Sequence, residues 1–177
     1  QTERAVYNLG AQRSTRLREI AEQGSFASPS KDLALFTIFA TLLFTTIHRL
    51  NGQKTLRLGT PFHGRPTVES LDIIGLFIEM GVMQVDVEEG ETFISLGEKV
   101  MSETLEGLAH VQPGMSSADS NRAYDVIINF IQASFGEFAG LPVTKETVHI
   151  GNIDANHNLS LQIIDYDASG KFVLLFD

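Results

Sequence analysis

The sequence predicts a layered α/β or α+β chain, and three observations predict it. An apolar run of 15 residues, Leu33 to Ile47, has the composition of a buried helix; apolar residues between Phe93 and Leu108 recur mostly at three- and four-residue steps; and strand-like stretches lie before, between and after these two segments. Helices and strands in mixed order imply helices packed on a sheet.

Each element follows from local pattern. "RAVYNLG" alternates weakly and reads as a short strand, after which Ser14 is expected to cap a helix to about Glu22 with Leu17, Ile20 and Ala21 at helical spacing. "QGSFASPS" is loop, Ser30 the expected N-cap of a helix from Lys31 to about Leu50, and "NGQ" at 51–53 its stop. "TLRL", 55–58, makes a short strand that runs into the loop "GTPFHGRP", and "TVESLDIIGLF" reads as one or two helical turns. In the extended "IEMGVMQVDV", Met83, Val85 and Val87 form the apolar face, against Val82, Gln84 and Asp86. "EEGE" turns the chain into the amphipathic helix carrying Phe93, Leu96, Val100, Met101, Leu105 and Leu108. Residues 110–122 are loop by composition. "AYDVIINFI", "TVHIGNI", "LSLQIIDYD" and "FVLLF" are strands, the last two joined by a hairpin turn at "DASG".

Composition bounds the function. A chain of 177 residues is long enough to bury about two-thirds of its unfolded surface. The net charge of -9, from 13 Lys and Arg against 22 Asp and Glu, repels a polyanion and excludes nucleic acid as the expected partner. Without cysteine there is no disulfide, thiolate zinc site or thiol nucleophile. The apolar run is shorter than the roughly 20 residues of a membrane span, so no membrane partner is expected. The N-terminus lacks a signal-peptide core and begins without Met, which predicts a cytoplasmic, excised segment.

The chemistry-bearing residues exclude more than they establish. Gly59 and Gly64 in "GTPFHGRP" do not make a phosphate cradle, because Arg65 and Pro66 stand where Lys and Ser or Thr are needed, and Pro61 and Pro66 lack N–H donors. His48, His63, His110, His149 and His157 are not spaced as metal ligands, and no Gly-x-Ser-x-Gly elbow is present, so no catalytic or metal residue is assigned. Glu88, Glu89 and Glu91 read as solvated turn charges. Arg65, held between Gly and Pro at a strand end, is aimed in a defined direction; Glu79 is its candidate carboxylate partner, in a structural ion pair or a substrate contact.

Four segments in order carry a resemblance: a helix ending "HRLNGQ", then "LRLGTPFHGRP", then "IIGLFIEMGVMQVDV", then a helix ending "AHVQP". They resemble the C-terminal half of a nonribosomal peptide synthetase condensation domain over nearly the whole chain, Tyr7 to Phe176. The family's "iGtpvagRp" is matched at Gly59, Gly64, Arg65 and Pro66, which are its structural signature. Where the family has Asn-Thr, this chain has Glu79 and Met80, and Gln84 replaces an Arg; "HVQPGM" and "SADSNRAYDV" match the family's later motifs only loosely. The family's His-His-x-x-x-Asp-Gly motif is absent, since no two histidines are adjacent.

The resemblance implies an α/β, chloramphenicol acetyltransferase-like single lobe, a mixed β-sheet covered by helices, with residues 1–177 as the C-terminal subdomain and the N-terminal catalytic lobe absent. It further implies that the intact parent joins a carrier-protein-tethered acyl or peptidyl thioester to an acceptor amine or hydroxyl. No cofactor is expected to bind directly; phosphopantetheine arrives on acyl or peptidyl carrier proteins. This lobe is expected to wall the tunnel, with Gly75, Glu79, Asn129 and Gln132 facing it, to be inactive alone, and to self-associate through the face that meets its partner lobe. A noncatalytic platform recruiting a carrier protein or tailoring enzyme is the alternative, and an independent small acyltransferase or hydrolase a third reading.

Overall fold

Burial of the long apolar run decides the architecture, because its side chains need a sheet on one side and helices on the other. In the computed structural model, which describes residues 3–26, 28, 30–65, 68–112, 114, 123–134, 136–143, 157–166 and 171–177, the order is β1 (Ala5–Asn8), α1 (Gly10–Glu22), a 3-10 turn (Gly24–Phe26), α2 (Lys31–Asn51), β2 (Thr55–Phe62), α3 (Val68–Leu71), β3 (Glu79–Asp86), α4 (Phe93–His110), β4 (Val126–Ala133), β5 (Glu137–Phe138), β6 (Leu141–Pro142), β7 (Leu159–Tyr166) and β8 (Val173–Phe176).

Six strands form one mixed sheet in the order β1-β8-β7-β4-β2-β3, and β5 with β6 forms a separate hairpin. β2, β4 and β7 run parallel, while β3 and β8 are antiparallel to their neighbours. The core lies between α2, with α1 and α4 beside it, and the sheet face bearing Leu58, Met83, Ile128, Leu161 and Ile163.

α2 is long and apolar enough to cross a membrane by length and composition, yet ten of its residues are buried here. Its buried threonines are tolerated because Thr37 and Thr41 donate their hydroxyls to the carbonyls of Leu33 and Thr37, at 2.8 and 2.7 Å. Ser30 caps the helix by accepting from the Leu33 N–H, and Gly52 ends it in the left-handed conformation, φ 71°.

Several expectations change. Ser14 does not cap α1; it is buried inside the helix, donating to Gly10 O and accepting from Phe172 N at 3.0 Å, so it fastens α1 to the start of β8. The strand at 55–58 continues to Phe62, because antiparallel pairing with β3 extends through Phe62↔Glu79 and draws half of "GTPFHGRP" into the sheet. On α4 the buried stripe is Leu96, Gly97, Val100 and Thr104, while Leu105 is exposed. The β5–β6 hairpin was not anticipated. The "TVHIGNI" strand, the "DASG" turn, Pro66 and nearly all of 113–122 lie outside the described residues. The face assignment on β3 holds: Met83 and Val85 are buried, and Val82, Gln84 and Asp86 exposed.

Candidate functional site: a crevice between β2 and β4

The chain leaves β2 for β3 on one side and returns, through α4, to β4 on the other, so the sheet has a topological switch point between β2 and β4. Crevices outside the carboxyl ends of parallel strands at such points are where open α/β sheets bind ligands. Here the two strands share a single ladder position, Gly59 opposite Ile127, whereas β4 and β7 are in register from Val126↔Leu159 to Ala133↔Tyr166. Beyond that position the strands part, and Phe62 and Phe130 stand three residues further along them.

Two adjoining hollows fill the gap. The larger, about 790 Å³, lies over the β4 and β7 face bearing Asn129, Ser160 and Gln162, is also lined by Gln132 near the end of β4, and has Ile78 and Met80 of the β3 approach on the far side. The smaller, about 290 Å³, runs inward between the first turn of α2 and the second half of α4. Asp32, Phe62, His63, Asn129 and Phe130 line both. The backbone N–H of Arg65 donates to His63 Nδ1 at 3.3 Å, which leaves the imidazole proton on Nε2 as a donor. Among the described residues no nucleophile is hydrogen-bonded to a base in this crevice; its polar groups are suited to holding a substrate, and its apolar walls to excluding water around it.

Two of the four predicted channel residues, Asn129 and Gln132, meet in the crevice. Gly75 and Glu79 do not line it. The Glu79 carboxylate accepts from Gly114 N at 2.5 Å, and Gly75 lies in the loop that Arg65 organises. Arg65 does not pair with Glu79. Its guanidinium donates to the carbonyls of Ser70, Ile73 (2.9 Å) and Gly75 (3.1 Å), and lies 4.2 Å from the centroid of the Phe77 ring. The planar fork is filled by three loop carbonyls, and the Glu79 carboxylate is engaged by Gly114 instead. Gly64 precedes this knot with φ 48°, and a Cβ there would collide with the Phe77 carbonyl. A Cβ on Gly59 would collide with the Tyr124 ring. The signature residues Gly59, Gly64 and Arg65 thus shape the rim of the crevice from outside it.

Asp32, Ser160 and Gln162 escaped sequence reasoning, and His63 was weighed there only as a metal or catalytic residue and set aside. Nothing local marks them; parallel pairing of β2, β4 and β7 brings them together from distant segments. The one available signal was that "HGRP" ends a strand, where ligand-facing loops begin.

A family model described as the condensation domain matches residues 3–135. Phosphinothricin tripeptide synthetase PhsC of Streptomyces viridochromogenes is 35% identical over 106 residues, 60% of this chain and 9% of the synthetase. Surfactin synthase subunit 1 of Bacillus subtilis is 27% identical over 108 residues, 61% of this chain and 3% of that subunit. Among solved structures, a variant of the starter condensation domain of rhizomide synthetase RzmA in complex with C8-CoA superposes with a TM-score of 0.72 at 16% identity, over 98% of this chain and 39% of that one. The condensation domain of the Monacolin K polyketide synthase MokA gives 0.71 at 16% identity, over 98% and 41%. The chain therefore spans about two-fifths of these solved condensation domains and a small part of the curated synthetases. Its six-stranded mixed sheet under helices is the condensation-domain fold, chloramphenicol acetyltransferase-like as expected. On the match to residues 3–135, this chain belongs to the condensation-domain family of nonribosomal peptide synthetases.

Proposed function

We propose that residues 1–177 form the C-terminal lobe of a condensation domain, and that the crevice between β2 and β4 is this lobe's wall of the channel in which a carrier-tethered acyl or peptidyl thioester meets an acceptor amine or hydroxyl. The observation that carries the reading is the crevice itself: a binding surface at a switch point, furnished with Asn129, Gln132, Ser160 and Gln162 but with no paired nucleophile and base among the described residues. Such a wall contributes proximity and orientation to the joining of two tethered substrates. The group that manages the proton is then supplied by the other lobe, in agreement with the missing His-His-x-x-x-Asp-Gly motif.

Phosphopantetheine would reach the crevice on acyl or peptidyl carrier proteins, and the cytoplasmic location expected from the sequence belongs to the same proposal. Exposed apolar side chains at Val68, Ile74, Leu76 and Phe138 support a contact with the N-terminal lobe, and self-association when that lobe is missing. The test compares acyl transfer by this chain alone with transfer by the same chain joined to its upstream region. Transfer only by the joined protein is expected; transfer by the isolated chain overturns the reading. A joined protein that binds carrier protein but transfers nothing favours the noncatalytic platform instead.

A further inference from the structure

A separate hollow lies at the opposite end of the parallel strands from the crevice. It measures about 570 Å³, is open to solvent, and sits where α2 ends and β2, β4 and β7 begin. Two steps back from the aligned residues Gly59, Ile127 and Ser160 stand Arg57, Asp125 and Asn158, which therefore share one level and one face of three adjacent strands. The Asn158 N–H donates to the Asp125 carbonyl at 2.7 Å, which fixes that level.

Arg57 and Asp125 are the only charged side chains among the described residues lining this hollow. Opposite charges on neighbouring strands ordinarily attract, yet no ion pair joins these two. The reason stands on β3. Gln84, directly across the antiparallel ladder from Arg57, accepts from its Nε at 2.7 Å and draws the guanidinium toward β3, away from β4. Among the described residues, the two terminal nitrogens of Arg57 have no hydrogen-bond partner, and neither do the Asp125 carboxylate and the Asn158 side-chain amide. Gln84 replaces an Arg of the condensation family, and an Arg could not accept from Arg57 and would repel it. The separated charges thus belong to this chain and not to the family pattern.

We infer that this hollow binds a free α-amino acid, with its carboxylate on Arg57, its ammonium on Asp125 and Asn158, and its side chain against Ile47, Leu56, Tyr124 and Val126. A zwitterion answers both charges, whereas an anion would also lie against Asp125 and a cation against Arg57. The carboxyl end of α2, which forms the other wall at Asn51, is the negative pole of its helix dipole and adds to the attraction for the ammonium. A carrier-bound thioester has no carboxylate for Arg57, so the ligand is a free molecule and the site is distinct from the crevice. The inference goes beyond the channel reading and does not depend on it.

The test uses the full 177-residue chain with L-leucine, leucinamide and N-acetyl-leucine, and follows the amide chemical shifts of residues 55–57, 125–126 and 158–159. Leucine is expected to shift those amides and to bind about fivefold tighter than either derivative, because each derivative lacks one charge and so one exposed ion pair. Arg57→Gln is expected to remove the preference over leucinamide and keep that over N-acetyl-leucine; Asp125→Asn does the reverse. Gln84→Leu keeps both charges but releases Arg57 to pair with Asp125, and is expected to weaken leucine binding about fivefold. Equal affinity of the wild-type chain for all three compounds, no shift at these amides, or shifts confined to the crevice at 129–132 overturns the inference without recourse to any variant.

Discussion

Phe62 occupies a slot that exists because Gly81 and Gly107 carry no side chains: a Cβ on Gly81 would collide with the Phe62 ring, and one on Gly107 would stand 2.5 Å from it. Gly81 belongs to β3 and Gly107 to α4, so the ring is gripped from the sheet and from the helical layer at once. The same ring lines both hollows. Gly81→Ala is therefore expected to push Phe62 toward the crevice and to destabilise the chain by about 1–3 kcal/mol, the usual cost of overpacking. Urea denaturation together with the Phe62 ring resonances checks this; an unmoved ring and unchanged stability would show that the slot is adaptable.

The Arg65 fork makes a second prediction. Arg65→Lys keeps the charge but loses planar contact with three carbonyls and with Phe77, so the 70–77 loop should open more often. Amide exchange in that loop is expected to accelerate about tenfold, equivalent to ~1.4 kcal/mol, with β4 and β7 unaffected. Uniform acceleration across the sheet would mean that Arg65 supports global stability instead.

What could be read in the sequence was what the sequence settles locally. α2 and α4 announced themselves through apolar spacing, and Ser30 and Gly52 through capping chemistry that spans only a few residues. Ser14 shows where that ends, because its preference for capping is overridden by Phe172, a partner from the far end of the chain. In the crevice, Asn129 and Gln132 were expected from the family resemblance alone, which pointed to the segment "VIINFIQ". Glu79 stood out as an acidic interruption of an apolar stretch and is engaged elsewhere, with Gly114. Asp32 gave no sign and His63 was weighed only as a metal or catalytic residue, since the packing of α2 and the end of β2 beside β4 is what brings them to Asn129.

Asp165 is buried, and among the described residues only one of its oxygens is satisfied: Oδ2 accepts from Arg18 at 2.8 Å, while Oδ1 has no hydrogen-bond partner there. Arg18 also lies 4.2 Å from the centroid of the buried Phe172 ring, so this pair and Ser14 together fix α1 against β7 and β8. Removing the cation strands the carboxylate. Arg18→Met is expected to cost about 2–4 kcal/mol, less than a fully buried pair because the Arg18 side chain is 28% exposed. Adding Asp165→Leu to that variant should restore most of the loss, since the double variant buries no unpaired charge. A double variant as unstable as Arg18→Met would place the loss in packing against Phe172 rather than in charge.

The turn before α4 supplies a pH dependence. The Glu91 carboxyl is held below its ordinary value of 4.5, first by the hydrogen bond from the Lys99 ammonium and then by that from the Ser95 hydroxyl, and Lys99 is correspondingly raised above 10.5 by Glu91. The Lys99 Nζ to Glu91 Oε2 distance is 2.6 Å, and Lys99 also donates to Asp86 O at 3.0 Å, which ties the end of β3 to α4. Because the folded carboxyl is the stronger acid, its contribution to stability is complete above pH 4.5 and is lost as pH falls through the depressed folded value. Because folded Lys99 is the weaker acid, its contribution is complete below pH 10.5 and is lost as pH rises through the raised value. Glu91→Gln should therefore cost about 1 kcal/mol at neutral pH, a modest figure because solvent reaches Lys99. In urea titrations repeated at successive pH values, the gap between wild type and variant should stay constant from pH 9 to about 5 and close on acidification. A gap that persists after Glu91 is protonated would assign its role to shape, through Ser95 and the capped turn of α4, and remove it from charge.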